Sequence, residues 1–251
     1  MRVRFTIAVL GLVVAACGGS GASDTTSSTV PGESTTTSAP AVTTTLVAST
    51  STSSPAATTT LAGDPVDIGP PAGAVLGVIG VRYDDVLNLR AGPGADQPII
   101  GQIPPAFDDL VASGEVRSLP AFWTKVSYQG TEGWVNMRYL AYLGSTDDIT
   151  ARFIDLFGER PEASTMAELG EIVAEALASE DPASDLVNSV EESVGDLGEV
   201  TFDVVGLGDD AVRGLRLHVF AENLDGHFQL RTVEQTILCD PSRGVDEGSC
   251  V

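Results

Sequence analysis

Three regimes of hydrophobic and polar patterning follow one another along the chain. Phe5 to Ala16 is an unbroken run of apolar and small residues. From Ser20 to Leu61 no periodicity of any kind holds. Beyond Val78 the apolar positions come in short alternating runs. Val86-Leu87-Asn88-Leu89-Arg90 alternates as a half-buried strand does. Ala91-Gly92-Pro93-Gly94 ends it with turn chemistry. Ile99, Ile100 and Ile103 mark a second strand, and Leu110 to Ala112 a third. Trp123 to Tyr128 is a fourth, and Gln129-Gly130 turns it into a fifth at Gly133-Trp134-Val135. Five short strands in so compact a stretch predict a small antiparallel β-barrel over residues 76–144, whose closure removes exposed strand edges.

The pattern over residues 145–251 is different. Ile149, Phe153, Ile154, Leu156 and Phe157 share one helical face. Thr165-Met166-Ala167-Glu168 fits a capping box, and Met166, Leu169, Ile172, Val173, Ala176 and Leu177 continue it at helical spacing. Asp181-Pro182 reads as a cap followed by a first-turn proline. Leu186, Val187, Val190 and Val194 behind it then read as a third helix. Alternation returns at Val200, Phe202 and Val204, at Leu215, Leu217 and Val219, and around Phe228 and Leu230. Turns at Gly206 to Asp210 and Asp225-Gly226 separate these runs. The expected fold class is therefore mixed: a small barrel, then an α+β domain of helices followed by a three-stranded antiparallel meander.

Charge sharpens this division. The chain has 251 residues and a formal net charge of −22. After Gly144 there are 24 acidic residues against six arginines; before it there are eleven against seven basic residues. An acidic balance of this size disfavours nucleic acid and anionic polymers as partners of the C-terminal part. A well-solvated acidic surface is the plainest account of it. No D-x-D-x-D-G loop is present to make a calcium site.

The N-terminal run is too short to span a bilayer as a helix, which takes about 20 residues. With Arg2 and Arg4 before it, it suits a secretory signal peptide over residues 1–16. Val14-Ala15-Ala16-Cys17 resembles the lipobox of bacterial lipoproteins. That resemblance implies acylation of Cys17, cleavage before it, and a lipid-anchored protein on the outer side of the cell membrane. An ordinary secretion signal is the alternative. Residues 17–75, rich in Ser, Thr and Pro, cannot bury enough apolar surface to offset their ordering entropy and are expected to be a disordered linker. O-glycosylation of this tract and an unmodified spacer remain equally open.

Cys17 accounts for the odd thiol among three. Cys239 and Cys250 then face an oxidising compartment, where a disulfide is expected. A zinc or redox site is the alternative, and no further ligands lie near them in sequence. No metal and no cofactor are expected.

The middle region resembles the bacterial SH3 (SH3b) family. The resemblance covers about Val78 to Leu143 and rests on "LNLRAGPG" (Leu87–Gly94), "PIIGQIP" (Pro98–Pro104), "WTKVSYQGTEGWV" (Trp123–Val135) and "RYL" (Arg138–Leu140). Two departures stand out. "PPAFDD" replaces the glycine usual after the second strand, and "SGEVRSLPAF" lengthens the segment before Trp123. The family resemblance implies recognition of cell-wall peptide or glycan. In the related eukaryotic domains a Pro and a Tyr line a proline-peptide groove. Here Tyr139 keeps the Tyr position and Asn136 occupies the Pro position, so a polyproline ligand is not implied. Tyr83, Asn88, Arg90, Trp123, Trp134 and Tyr139 are the candidate groove residues. Leu87, Leu89, Ile100, Val126 and Val135 are expected in the core.

Catalysis is not expected. The three cysteines are lipidated or paired, so no thiolate nucleophile remains. His218 and His227 have no partners at metal-ligand spacing, and no nucleophile-elbow motif is present. The leading expectation is a monomeric, non-catalytic envelope binding protein that recognises cell-wall peptide or glycan. A sensory or protein-interaction lipoprotein, whose acidic domain binds an envelope protein, is a second reading. A wall hydrolase using a carboxylate pair is a third.

Overall fold

The computed structural model describes residues 60–251. The expected signal peptide, the expected lipidation site Cys17 and most of the expected linker lie outside the described residues. The described residues all fall in one compact unit.

The chain opens with β1 (Asp64–Pro65), β2 (Val75–Val78), β3 (Leu87–Arg90), β4 (Ile99–Ile103), β5 (Leu110–Ser118), β6 (Phe122–Tyr128) and β7 (Thr131–Asn136). A 3-10 turn at Met137–Tyr139 leads into β8 (Leu140–Asp148). Then come α1 (Thr150–Phe157), β9 (Glu162–Ala163), α2 (Met166–Glu175), β10 (Asp185–Ser193), β11 (Leu197–Val205), β12 (Val212–Leu224) and β13 (His227–Cys239). A last hairpin is made of β14 (Val245–Asp246) and β15 (Ser249–Cys250).

Thirteen of these strands belong to one antiparallel sheet. Its order is β10-β11-β12-β13-β8-β2-β5-β6-β7-β3-β4, with β1 added on β5 and β9 on β13. This overturns the expected α+β class with its separate three-stranded meander. The pivot is β8. Its first residues pair with β2 (Leu140 with Val78, Ala141 with Gly77). From Tyr142 to Asp148 it pairs with β13. The boundary drawn at Gly144 from composition thus falls inside a strand common to both halves.

The third expected helix is the largest local departure. Leu186, Val187 and Val190 lie on β10, which pairs with β11 from Asp185–Val205 to Ser193–Glu199. Pro182 sits in a turn closed by the Ser184 N–H donating to the Ser179 carbonyl at 3.0 Å. Helical and strand patterns are hard to separate over so short an apolar run. The hydrogen-bonding edge that β11 offers, together with β-branched Val187 and Val190, decides for the strand. Ser189, fully buried, turns its hydroxyl onto the Thr201 carbonyl.

The two helices lie in the C-terminal half. Thr165 caps α2, its hydroxyl accepting from the Glu168 N–H at 3.1 Å, while the Glu168 carboxylate reaches back to the Ser164 N–H at 3.0 Å. Gly170, in mid-helix, lets α2 lie directly on the sheet. A Cβ there would meet Phe202 Cε2 at 2.5 Å and Val200 Cγ1 at 2.7 Å. Helix α1 ends at Gly158 in the left-handed region (φ 75°), whose N–H closes on the Ile154 carbonyl. Phe153, Met166, Leu169 and Val173 bury against Val200, Phe202, Leu217 and Val219 to form the C-terminal core.

In the N-terminal half Leu76, Val78, Leu87, Leu89, Leu110, Val126 and Val135 share a second core. Ile100, read as core from the sequence, is exposed. The segment from Val66 to Gly73, placed in the linker by composition, runs along this half. The N–H groups of Val66 and Gly73 donate to the Val116 and Ala112 carbonyls. "SGEVRSLPAF" is no simple loop either: Val116, Arg117 and Ser118 pair with Thr124, Trp123 and Phe122 in a lengthened hairpin.

Candidate functional site

A buried ion pair joins the two halves beside the candidate site. Arg216 on β12 donates through Nε to Asp203 Oδ1 at 2.8 Å and through Nη2 to Oδ2 at 3.0 Å. The same Nη2 donates to the Val78 carbonyl at 2.6 Å. Asp203 Oδ2 also accepts from the Gly80 N–H at 2.9 Å. The Asp203 side chain is fully buried and that of Arg216 is 7 % exposed. The pair therefore fixes the end of β2 against the open face of β11 and β12.

A groove of about 520 Å³ lies next to this anchor. Strand alternation builds its floor. Leu87 and Leu89 enter the core, so Asn88 and Arg90 point outward from β3. Trp123 and Asn136 are direct cross-strand partners on β6 and β7, and both reach the groove. Trp123 is 6 % exposed and presents only a rim. Tyr139 closes the end of the groove from the 3-10 turn. That turn is held by Asn136 Oδ1, which accepts from the Arg138 N–H at 3.0 Å. The Arg138 guanidinium lies over the Tyr139 ring, 5.0 Å from its centroid. Arg90 Nη1 donates to the Gln97 carbonyl at 2.7 Å, which fixes its orientation.

Four of the six candidate residues are thus brought together: Asn88, Arg90, Trp123 and Tyr139. Trp134 does not line the groove. It is 2 % exposed and packs within β7. Tyr83 does not line it either; its N–H donates to the Asn188 carbonyl on β10 at 3.0 Å. Sequence reasoning missed Arg82, Asp85, Asn136 and Val187. Arg82 forks onto Asp84, and that hydrogen bond and charge raise its pKa. Val187 carries no sequence signal for a groove, because it comes from the strand that was read as a helix. A smaller depression of about 200 Å³ continues past it, sharing Gly80, Tyr139 and Val187 and adding Arg138, Asp185 and Leu186.

The remaining candidates for chemistry lie elsewhere. Cys239 and Cys250 form a disulfide. Cys239 is fully buried and joins the N-terminal core, with Tyr142 and Ile237. Burial raises the pKa of the Tyr142 phenol. The bridge thus ties the C-terminus to β13 and, through β8, to the N-terminal half. His218 is half-buried on β12, its ring edge-on to Phe220. His227 is exposed at the start of β13. Among the described residues no group of three His, Cys, Asp or Glu side chains is placed to hold a metal ion.

The arrangement can hold a chain-like polar ligand by stacking, by hydrogen bonds from Asn88 and Asn136, and by guanidinium contacts. Residues 85–141 match the family of bacterial SH3 domains. No curated protein and no solved structure matches the chain.

Proposed function

We propose that the bacterial SH3 domain of residues 85–141 makes this protein a non-catalytic, lipid-anchored binding protein of the cell envelope, which engages cell-wall peptide or glycan. The observation that carries this reading is the groove in which Asn88, Arg90, Asn136 and Tyr139 converge beside the rim of Trp123. A concave site with a few placed polar groups beside an aromatic rim is a common form of ligand site. The lipobox-like Val14 to Cys17 and the Ser/Thr linker supply tether and reach.

The experiment is co-sedimentation of the full chain, in detergent micelles, with purified cell-wall sacculi. Wild type should pellet at low salt, and Tyr139→Ala should lower the pelleted fraction severalfold without changing the far-UV circular dichroism. Equal pelleting of wild type and variant would remove the groove from the proposal. No pelleting of wild type would remove wall binding. Cys17→Ser should shift the protein from the membrane fraction to the medium; retention in the membrane would end the anchoring claim.

A further inference from the structure

The groove takes one lining residue from the C-terminal half. Its far wall is Val187, and the depression beyond adds Asp185 and Leu186. All three belong to β10, and β10 is the terminal strand of the sheet. Its inner side pairs with β11. Its outer side is used once: the Asn188 carbonyl accepts from the Tyr83 N–H at 3.0 Å.

This single contact fixes the direction of the neighbouring backbone groups. In an antiparallel strand the N–H and C=O of one residue point the same way, and residues two apart agree. From Asp185 to Asn188 the register with β11 is unbroken. The N–H and C=O of Leu186 therefore point outward like those of Asn188, at the border of the groove. An unpaired strand edge of this kind is a template for an extended chain.

Charge narrows the occupant. The protein carries −22 overall, yet Arg90 and Arg138 border the two depressions. Among the described residues neither forms a salt bridge; the ion-paired cations are Arg82, Lys125, Arg213, Arg216, Arg231 and Arg243. Arg90 is oriented by a backbone carbonyl, and Arg138 by the Tyr139 ring. Both keep donors for an anion. Asp85 lines the groove and Asp185 the depression beyond it, and Asp85 accepts from the Val86 N–H at 2.8 Å. Guanidinium groups held in place without an internal carboxylate are suited to a carboxylate on the ligand.

We propose that the site is composite, with an extended, carboxylate-bearing peptide adding itself to the β10 edge at Leu186 while its acidic groups meet Arg138 and Arg90 across the SH3 groove. This rests on the wall-binding reading above and narrows it to the peptide component of the wall. It also assigns a role to the C-terminal half: β10 is one wall of the ligand site, held in register by Arg216 and Asp203.

The test uses the full chain in detergent micelles and three probes. The first is a synthetic pentapeptide with a free C-terminal carboxylate and one glutamate side chain. The second is the same peptide with both carboxylates amidated, and the third a peptide-free amino-sugar oligomer. Titration calorimetry should show the acidic peptide binding about tenfold or more tightly than its amide. Arg138→Gln should reduce that difference severalfold, and Arg138→Gln with Arg90→Gln should abolish it. Val187→Asp should weaken the acidic peptide, and Val187→Lys should keep or strengthen it, so a folding defect in one variant is separated from a change of sign. Amide exchange at Leu186 should slow on binding. Equal binding of the two peptides, or unchanged exchange at Leu186 under saturation, would overturn the composite site. Binding of the amino-sugar oligomer alone would overturn it too while leaving wall recognition intact. Failure of wild type to pellet with whole sacculi would instead remove the underlying reading.

Discussion

Replacing Arg216 with methionine tests whether the buried ion pair holds the two halves together. The substitution strips three hydrogen bonds: two to Asp203 and one to the Val78 carbonyl. Asp203, whose side chain has no solvent exposure, keeps only the Gly80 N–H. A buried carboxylate without its counter-charge costs roughly 3–5 kcal/mol. Asp203→Leu should cost about as much, since it leaves a guanidinium buried against one carbonyl. The double variant Asp203→Leu/Arg216→Met removes both charges. Its remaining loss is the pairing of one carbonyl and one N–H, about 1–3 kcal/mol each. The double variant should therefore be no less stable than either single one. Guanidinium denaturation is the assay, followed by circular dichroism and by the fluorescence of Trp123 and Trp134, both in the N-terminal half. A loss below about 1 kcal/mol for Arg216→Met would place the pair with solvent-screened surface bridges and refute the argument. Strict additivity of the two single variants would refute it as well.

Three further outcomes follow from the packing. Cys250→Ser opens a loop with a sequence separation of 11, worth about 3 kcal/mol in the chain-entropy model. Because Cys239 sits in the N-terminal core, the fluorescence and dichroism transitions should both move; a shift in dichroism alone would contradict the shared core. Gly170→Ala would stabilise an isolated helix by about 1 kcal/mol. Here the new Cβ would lie 2.5 Å from Phe202 Cε2, so thermal denaturation should show a net loss of about 1–3 kcal/mol; a gain would show that α2 lies further from the sheet. Finally, hydrogen bonds from Thr150 lower the pKa of Asp148, and the Val212 and Ala211 N–H groups lower that of Asp209. Carboxylates with depressed folded values contribute stability above the usual value near 4, and lose it as pH falls through the folded value. Asp148→Asn and Asp209→Asn should each flatten the loss of stability below about pH 4; an unchanged acid slope would exclude those turns as contributors.

Much of the local structure was written in the sequence. Alternation placed β3, β6, β7, β11 and β12, because side chains of a half-buried strand must alternate between core and solvent. The capping box placed the start of α2, since Thr165 and Glu168 satisfy N–H groups within one turn. Four groove residues were legible through Leu87-Asn88-Leu89-Arg90, the segment opening at Trp123 and the "RYL" segment. Their direction follows from strand period and from a resemblance confined to the SH3 region. Tertiary structure decided the rest. Leu186, Val187 and Val190 fit two periods equally well, and only the open edge of β11 selects the strand. Whether Trp134 meets ligand or core depends on what lies over β7, which local pattern does not contain. Asp203 and Arg216 read as two more charges on an acidic half. Their pairing thirteen residues apart across β11 and β12, and their grip on Val78 and Gly80, exist only once the two halves meet. For the same reason the second wall of the groove was invisible. A site formed between distant segments is set by long-range register, and periodicity along the chain carries no record of which strand lies beside which.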